Sequence, residues 1–157
     1  MIIGVDPSLS ETGIWYNREG CIGVGVVIKT NVKESRGKRL LRIAREFDVI
    51  VKHLIGSKEI EGLEFYIEEV PFAAPHSRSI SVMSEVHGIL KMMLARYVDV
   101  KVYFVHSASW KKEVLGFGRL DKKEVRKRAE KLSRLKFENQ NLCDAWCIWK
   151  YGQKKKV

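Results

Sequence analysis

The sequence lacks the features that mark several classes of protein. Its 157 residues include only three cysteines, with no CxxC pair, which argues against a disulfide framework or a thiolate zinc site and favours a reducing compartment. No apolar run reaches the ~18 residues of a membrane span, and no basic segment precedes the apolar start, so a signal peptide is not expected. We expect a cytoplasmic protein of bacterial, archaeal or viral origin; an organelle protein that has lost its transit peptide would look the same.

Basic residues outnumber acidic ones, 29 against 19, giving a formal charge of +10. They concentrate in two segments. Residues 36–45 contain five basic side chains, and residues 119–136 contain nine against three acidic ones. Such clusters favour a polyanionic partner, with nucleic acid first, although a solubilising surface would have the same composition. No basic segment also carries a broad apolar face, so membrane binding is not expected.

Hydrophobic periodicity predicts an α/β domain with five strands and five helices. There is no repeat and no domain boundary, so we expect one domain over residues 1–152 and a basic tail over residues 153–157. An antiparallel start followed by strands that alternate with helices indicates a mixed sheet with helices on its faces. The predicted strands are 1–6, 14–16, 21–29, 63–70 and 100–105, and the predicted helices are 35–55, 83–97, 107–115, 121–135 and 142–151.

Three acidic residues stand out because each lies in an apolar context at the end of a predicted element. Asp6 closes the first strand, Glu68 lies near the end of the fourth, and Asp144 lies at the start of the last helix. A cluster of such carboxylates would need a cation, and hard oxygen ligands suit Mg²⁺ or Mn²⁺. Each residue also has a structural interpretation, as a turn residue, a solvated strand position or a partner of the helix dipole. Spacing alone does not show that the three converge.

Four motifs in order resemble those of the RuvC-type Holliday-junction resolvases, within the RNase H-like superfamily. The first is IIGVDPSLSETG at 2–13, and the second is YIEEVPF at 66–72. The third is WKKEVLGFG at 110–118, and the fourth is DAWCI at 144–148. Together they extend over nearly the whole chain.

The resemblance implies an RNase H-like fold with a five-stranded mixed sheet and helices on both faces. It also implies a homodimer that binds a four-way DNA junction in DNA recombination and repair, and resolves it by paired symmetric nicks. Two Mg²⁺ ions, for which Mn²⁺ substitutes, would activate the hydrolytic water and stabilise the leaving oxygen. The alternatives are a non-catalytic binder of branched nucleic acid and an RNase H-like nuclease that processes RNA.

The resemblance assigns roles to residues at matching positions. Asp6, Glu68 and Asp144 would ligate the metals, and Lys111 and Lys122 would lie near the scissile phosphate. Residues expected to contact DNA are Phe72, by stacking on a junction base, and Arg36, Lys38, Arg39, Lys112, Arg119 and Lys123, through phosphates.

The sequence departs from the family at Asn141, where an acid usually lies one helical turn before the position of Asp144. Asn141 is expected to be the fourth member of the metal site, since an amide oxygen can ligate a metal but brings no charge. Three explanations remain open. The first is that three acids suffice, as in family members that have a histidine at this position. The second is that Glu138 compensates from the preceding loop. The third is that an aspartate has been exchanged for Asn141.

Overall fold

The computed structural model describes residues 1–17, 23–56, 62–70 and 78–156. The element order agrees with the order predicted from the sequence. The strands are β1 (Ile2–Asp6), β2 (Glu11–Tyr16), β3 (Val24–Lys29), β4 (Leu63–Glu68) and β5 (Val100–Val105). The helices are α1 (Arg36–Gly56), α2 (Arg78–Leu94), α3 (Ser107–Leu115), α4 (Lys122–Ser133) and α5 (Gln140–Lys155).

The five strands form one mixed sheet in the order β3-β2-β1-β4-β5. β1 is central and pairs antiparallel with β2 and parallel with β4, while β5 extends the parallel half. Alternate side chains of a strand face opposite sides of a sheet. Ile3 and Val5 of β1 therefore join the core beneath α1 and α2, whereas Ile2 joins the core beneath α3, α4 and α5. The predicted fold class, a mixed sheet with helices on both faces, is confirmed.

Two glycines let α5 lie unusually close to the sheet. A Cβ atom at Gly4 would collide with the carbonyl oxygen of Ala145 and lie 2.8 Å from the Cα atom of Trp149. A Cβ atom at Gly13 would collide with the backbone of Asn141 and lie 2.9 Å from the Leu142 nitrogen. The backbone of α5 thus rests directly on β1 and β2 at these positions.

Several predicted boundaries were wrong by a few residues. The loop rich in turn-forming residues was expected to continue to position 13, but β2 already begins at Glu11, because Glu11 and Thr12 pair with Lys29 and Ile28 of β3. α2 begins at Arg78, five residues before the predicted start. The turn predicted over 17–20 lies largely outside the described residues.

The last helix is longer than predicted at both ends. It begins at Gln140, and the Asn139 side chain caps it by accepting a hydrogen bond from the Leu142 amide at 3.1 Å. Its C-terminal end extends through Lys155 into the segment predicted as a basic tail, where Lys154 donates to the Glu113 carbonyl oxygen at 2.7 Å. No helix among the described residues is long and apolar enough to cross a membrane.

Candidate active site

The pairing of β1 with β4 brings Asp6 and Glu68 side by side. The two strands run parallel, and Val5 lies opposite Ile67, so the next residue of each strand lies at the same edge of the sheet. Gly4 and Tyr66 occupy the preceding even positions and face α5. Because the side-chain period of a strand is two, Asp6 and Glu68 face α5 as well.

α5 supplies the third carboxylate. The sequence prediction put Asp144 in the first helical turn, but the helix begins at Gln140, and no acidic residue lies in its first turn. A role for Asp144 as a partner of the helix dipole is therefore excluded. Its helix crosses the sheet between the close approaches at Gly13 and Gly4, which directs the Asp144 carboxyl towards Asp6 and Glu68.

Burial raises the pKa of all three carboxyl groups, and neighbouring carboxylates raise it further for Asp6 and Glu68. Burial raises the pKa of Asp6 well above its usual range, and the charges of Glu68 and Asp144 raise it further. Burial and the Asp144 charge raise the pKa of Glu68 to about 7. Asp6 and Glu68 also interact through a hydrogen bond, so their titrations are coupled. This cluster is electrostatically strained without a cation.

Cationic side chains surround the carboxylates from α3 and α4. Lys111 lowers the pKa of Glu68 and of Asp144, and Lys122 lowers that of Asp6 and of Asp144. Both lysines that the sequence predicted near the scissile phosphate therefore lie within electrostatic reach of the acids. Their charges offset part of the mutual repulsion of the carboxylates.

Asn141 lies on the sheet side of α5. Its amide nitrogen donates to the backbone carbonyl oxygen of Glu11 in β2. Any contribution of Asn141 to a metal site would therefore come from its amide oxygen. Glu138, the alternative fourth acid, is exposed in the bend before α5.

The donor set fits a hard divalent cation in its chemistry. Three carboxylates and a side-chain amide are oxygen donors of the kind that Mg²⁺ and Mn²⁺ prefer. Over the described ranges, no group of three or more His, Cys, Asp or Glu side chains is arranged to hold a metal ion as it stands. The agreement with a metal site therefore lies in the chemistry of the donor atoms.

Three further side chains at the site were missed by the sequence analysis. Gln140 donates to Asp144 Oδ1 at 2.9 Å, an (i, i+4) pair that helical spacing could have revealed. Arg126 lowers the pKa of Asp144 and lies one turn after Lys122, so the same spacing points to it. Trp110 lies against Glu68 and lowers its pKa, which only the three-dimensional structure reveals.

The predicted phosphate-binding residues of α1 have different surroundings. Arg39 donates to the Ser10 hydroxyl at 2.9 Å and so fastens the start of α1 to the β1–β2 loop. Arg36 forms an exposed ion pair with Glu85 at 3.3 Å, and Lys38 is exposed. The contact of Arg39 places the beginning of α1 at the same edge of the sheet as Asp6.

The remaining predicted DNA-binding residues lie around α3 and α4, or outside the described residues. Lys112 on α3, Arg119 in the loop between the helices and Lys123 on α4 are all exposed. Phe72 lies outside the described residues. The three exposed cations therefore lie on or between the two helices that carry Lys111 and Lys122.

Comparisons with known proteins agree on one family. The family model described as crossover junction endodeoxyribonuclease RuvC matches residues 2–149. Crossover junction endodeoxyribonuclease RuvC of Ehrlichia canis is 31% identical over 142 residues, which cover 87% of this chain and 85% of the relative. The protein of the same name from Prochlorococcus marinus is 30% identical with the same coverage.

Solved structures show the same fold. Thermus thermophilus RuvC superposes with a TM-score of 0.71 at 20% sequence identity, covering 98% of this chain and 96% of that one. The T. thermophilus RuvC structure in complex with a Holliday junction substrate gives the same TM-score and identity, with 98% and 95% coverage.

Proposed function

Because the chain belongs to the RuvC family of crossover junction endodeoxyribonucleases, we propose that it is a metal-dependent endonuclease that resolves four-way DNA junctions by paired symmetric nicks. The observation that carries this proposal is the convergence of Asp6, Glu68 and Asp144 from two parallel strands and a helix. Their raised pKa values are the signature of a carboxylate cluster built to receive cations. Both curated relatives are bacterial, and on that ground we place the activity in the cytoplasm.

Asp6, Glu68 and Asp144 would hold two Mg²⁺ ions, and the amide oxygen of Asn141 would be an additional neutral ligand. When bound, the ions supply Lewis-acid activation of water and stabilise charge on the leaving oxygen. Asp6 is central to the set because it lies on the middle strand and interacts with both other carboxyls. Gln140 fixes one oxygen of Asp144 and so orients this ligand.

Lys111 and Lys122 would bind the phosphate that is cut. Each already interacts with two of the carboxyl groups, so a phosphate at the cluster would lie between the acids and these ammonium groups. Fixed cations at this point hold the phosphodiester in position and stabilise the negative charge that grows as water attacks.

Exposed basic side chains would hold the arms of the junction through their phosphates, reading shape and not sequence. Lys112, Arg119 and Lys123 lie on or between α3 and α4, and Arg36 and Lys38 lie at the start of α1. Arg39 would contribute by fixing that helix, because its guanidinium already bonds to the β1–β2 loop. Phe72 remains a proposed stacking residue from the resemblance.

A symmetric junction cut at two related positions calls for two active sites, and a homodimer provides them. Exposed apolar side chains on and between α2 and β5 would provide a surface for a second copy. They are Met92, Val98 and Phe104. Sedimentation velocity tests the dimer, with Phe104→Glu expected to yield monomers.

A labelled four-way junction incubated with the protein and Mg²⁺ tests the activity. We expect paired nicks at symmetric positions, loss of nicking in Asp144→Asn, and full nicking in Glu138→Gln, because Glu138 is exposed. Loss of nicking in Glu138→Gln would instead identify Glu138 as the acid that compensates for Asn141. A preference for RNA would contradict the proposal in favour of an RNA-processing nuclease.

One observation favours a second candidate, a non-catalytic junction binder: Asn141 stands where the family usually has an acid. Binding of the junction without nicks would support that candidate. Asn141→Asp separates the two, because it should restore nicking if the missing acid is the only defect. Nicking by the unaltered chain would exclude the binder.

A further inference from the structure

Phe117 is a large apolar side chain exposed in a strongly basic setting. It lies in the loop between α3 and α4, and 59% of its surface is accessible. The loop reads Gly116-Phe117-Gly118-Arg119, so the ring is flanked by small residues and followed by a cation. An exposed aromatic ring among cations is the combination on which unpaired nucleobases stack.

The ring is supported on one face. The guanidinium of Arg128 lies over it, with Cζ 4.7 Å from the ring centroid. Arg128 is itself fixed, because Nε donates to Glu124 at 2.7 Å and Nη1 donates to the Leu115 carbonyl oxygen at 3.0 Å. With one face of Phe117 on a held cation and most of the side chain exposed, the opposite face is open to solvent.

The two glycines set the course of the loop. Gly116 ends α3 in the left-handed conformation, with φ of 89°, which disfavours other residues. A Cβ at Gly118 would lie 3.2 Å from the carbonyl oxygen of Ala108, so this part of the loop packs tightly on α3. The position of the Phe117 ring is therefore fixed by backbone geometry on both sides of it.

The loop connects the two helices whose lysines reach the carboxylate cluster. Lys111 precedes it on α3 and Lys122 follows it on α4, and both lower the pKa of Asp144. Arg119, two residues after Phe117, and Lys123 in the first turn of α4 add exposed positive charge to this segment. A flat apolar surface within such a cationic frame matches a nucleobase, which offers a π face together with nearby phosphates.

We propose that the Phe117 ring, backed by Arg128, is a stacking platform for an unpaired base at the branch point of the DNA substrate. The inference rests on the proposed function for its substrate class and adds a base-binding site to it. Stacking has no hydrogen-bond code, so the platform would favour unstacked bases over continuous duplex without selecting a sequence.

Binding in EDTA, where no cleavage occurs, tests the platform. Anisotropy titrations would compare a four-way junction with a linear duplex of the same length for Phe117→Leu, Phe117→Trp and unaltered protein. Leu132→Ala removes a comparably exposed apolar side chain from α4, at 52% accessible, and is the matched control. Because Phe117 is exposed, the melting temperature of each variant should stay unchanged.

We expect Phe117→Leu to weaken junction binding roughly ten-fold, the scale of one lost base stack, and to leave duplex binding unchanged. Phe117→Trp should keep the junction affinity. The salt dependence of binding should not change, because no phosphate contact is lost. A 2-aminopurine at the branch point should be quenched by the unaltered protein and by Phe117→Trp but not by Phe117→Leu.

Unchanged junction affinity in Phe117→Leu, or an equal loss for junction and duplex, would overturn the platform while leaving the nuclease proposal intact. Conversion of Phe117→Leu to monomers would assign the ring to a contact between subunits and would also overturn it. If the unaltered protein binds junction and duplex equally and cuts neither, the proposed function fails, and the platform fails with it.

Discussion

Replacing Glu68 with Gln should make the metal-free protein more stable at pH 8, although it alters the proposed metal site. Ionisation of Glu68 at this pH costs free energy, because the side chain is buried and the Asp144 carboxylate repels its charge. Both effects raise its pKa. Glutamine has nearly the same shape, and its amide can still donate a hydrogen bond to Asp6. The substitution therefore removes an unfavourable charge and preserves packing.

The size of the effect follows from the shift in pKa. The pKa of Glu68 rises from an ordinary value of 4.5 to about 7 in the folded state, and each unit corresponds to about 1.4 kcal/mol. The folded state holds this proton more tightly than the unfolded state, so the stability of the unaltered protein falls as the pH rises from about 4.5 to about 7. Above pH 7 the ionised Glu68 destabilises the folded state by about 3 kcal/mol. The neutral amide of glutamine avoids this destabilisation.

Thermal unfolding in EDTA at pH 5 and pH 8 measures the difference. In a domain of this size, 3 kcal/mol corresponds to an increase in Tm of roughly 5 to 10 °C. The gain should be largest at pH 8 and should fall to about a quarter of that value at pH 5. Glu46→Gln, which neutralises an exposed carboxylate on α1, should change the Tm at neither pH. A Glu68→Gln protein that melts below the unaltered protein at pH 8 would refute the reasoning, because repulsion would then not dominate at this residue.

Three further outcomes follow from the fold and the site. Gly4→Ala should destabilise the fold by several kcal/mol in urea unfolding, because its methyl group collides with the backbone of α5, whereas Gly88→Ala, with open space inside α2, should stabilise it by about 1 kcal/mol. Asp48→Asn should lower the Tm at pH 7, because lysine, tyrosine and arginine partners lower the pKa of Asp48. The difference should disappear as the pH falls through that lowered pKa, where the carboxylate of the unaltered protein is protonated. Gln140→Ala should weaken Mg²⁺ binding by roughly 10-fold in calorimetry, by releasing the oxygen of Asp144 that Gln140 holds; unchanged affinity would exclude this orienting role.

The sequence predicted the order of the elements because apolar periodicity records which face of each element is buried. It did not predict where β2 begins, because Thr12 and Gly13 look like turn residues in isolation. In the structure Thr12 is fully buried and donates to the Ser8 carbonyl oxygen at 2.8 Å, and Gly13 makes room for α5. Both residues serve tertiary packing, which overrides local propensity.

The candidate site was predictable as a set of residues but not as a geometry. Strand ends and apolar surroundings pointed to Asp6 and Glu68, but their convergence depends on the parallel pairing of β1 with β4, which residue spacing does not encode. The surroundings of Asn141 also required the structure, since its amide is bound to β2. Contacts between segments that are distant in the chain, such as that of Trp110 with Glu68, produce no recognisable pattern in the neighbouring sequence.

The seating of α5 on two glycines has a consequence for the choice of metal. Because the backbone of α5 touches β1 and β2 directly, this helix cannot move inwards, and the separation of its carboxylate from the strand ends is set by the chain itself. Ions of different radius, about 2.1 Å from their ligands for Mg²⁺ and about 2.4 Å for Ca²⁺, would then be accommodated only by rotation of side chains. Among the three carboxylate residues, Glu68 has the longest side chain and would make most of that adjustment. Discrimination between divalent ions would then depend on how freely the Glu68 side chain can rotate.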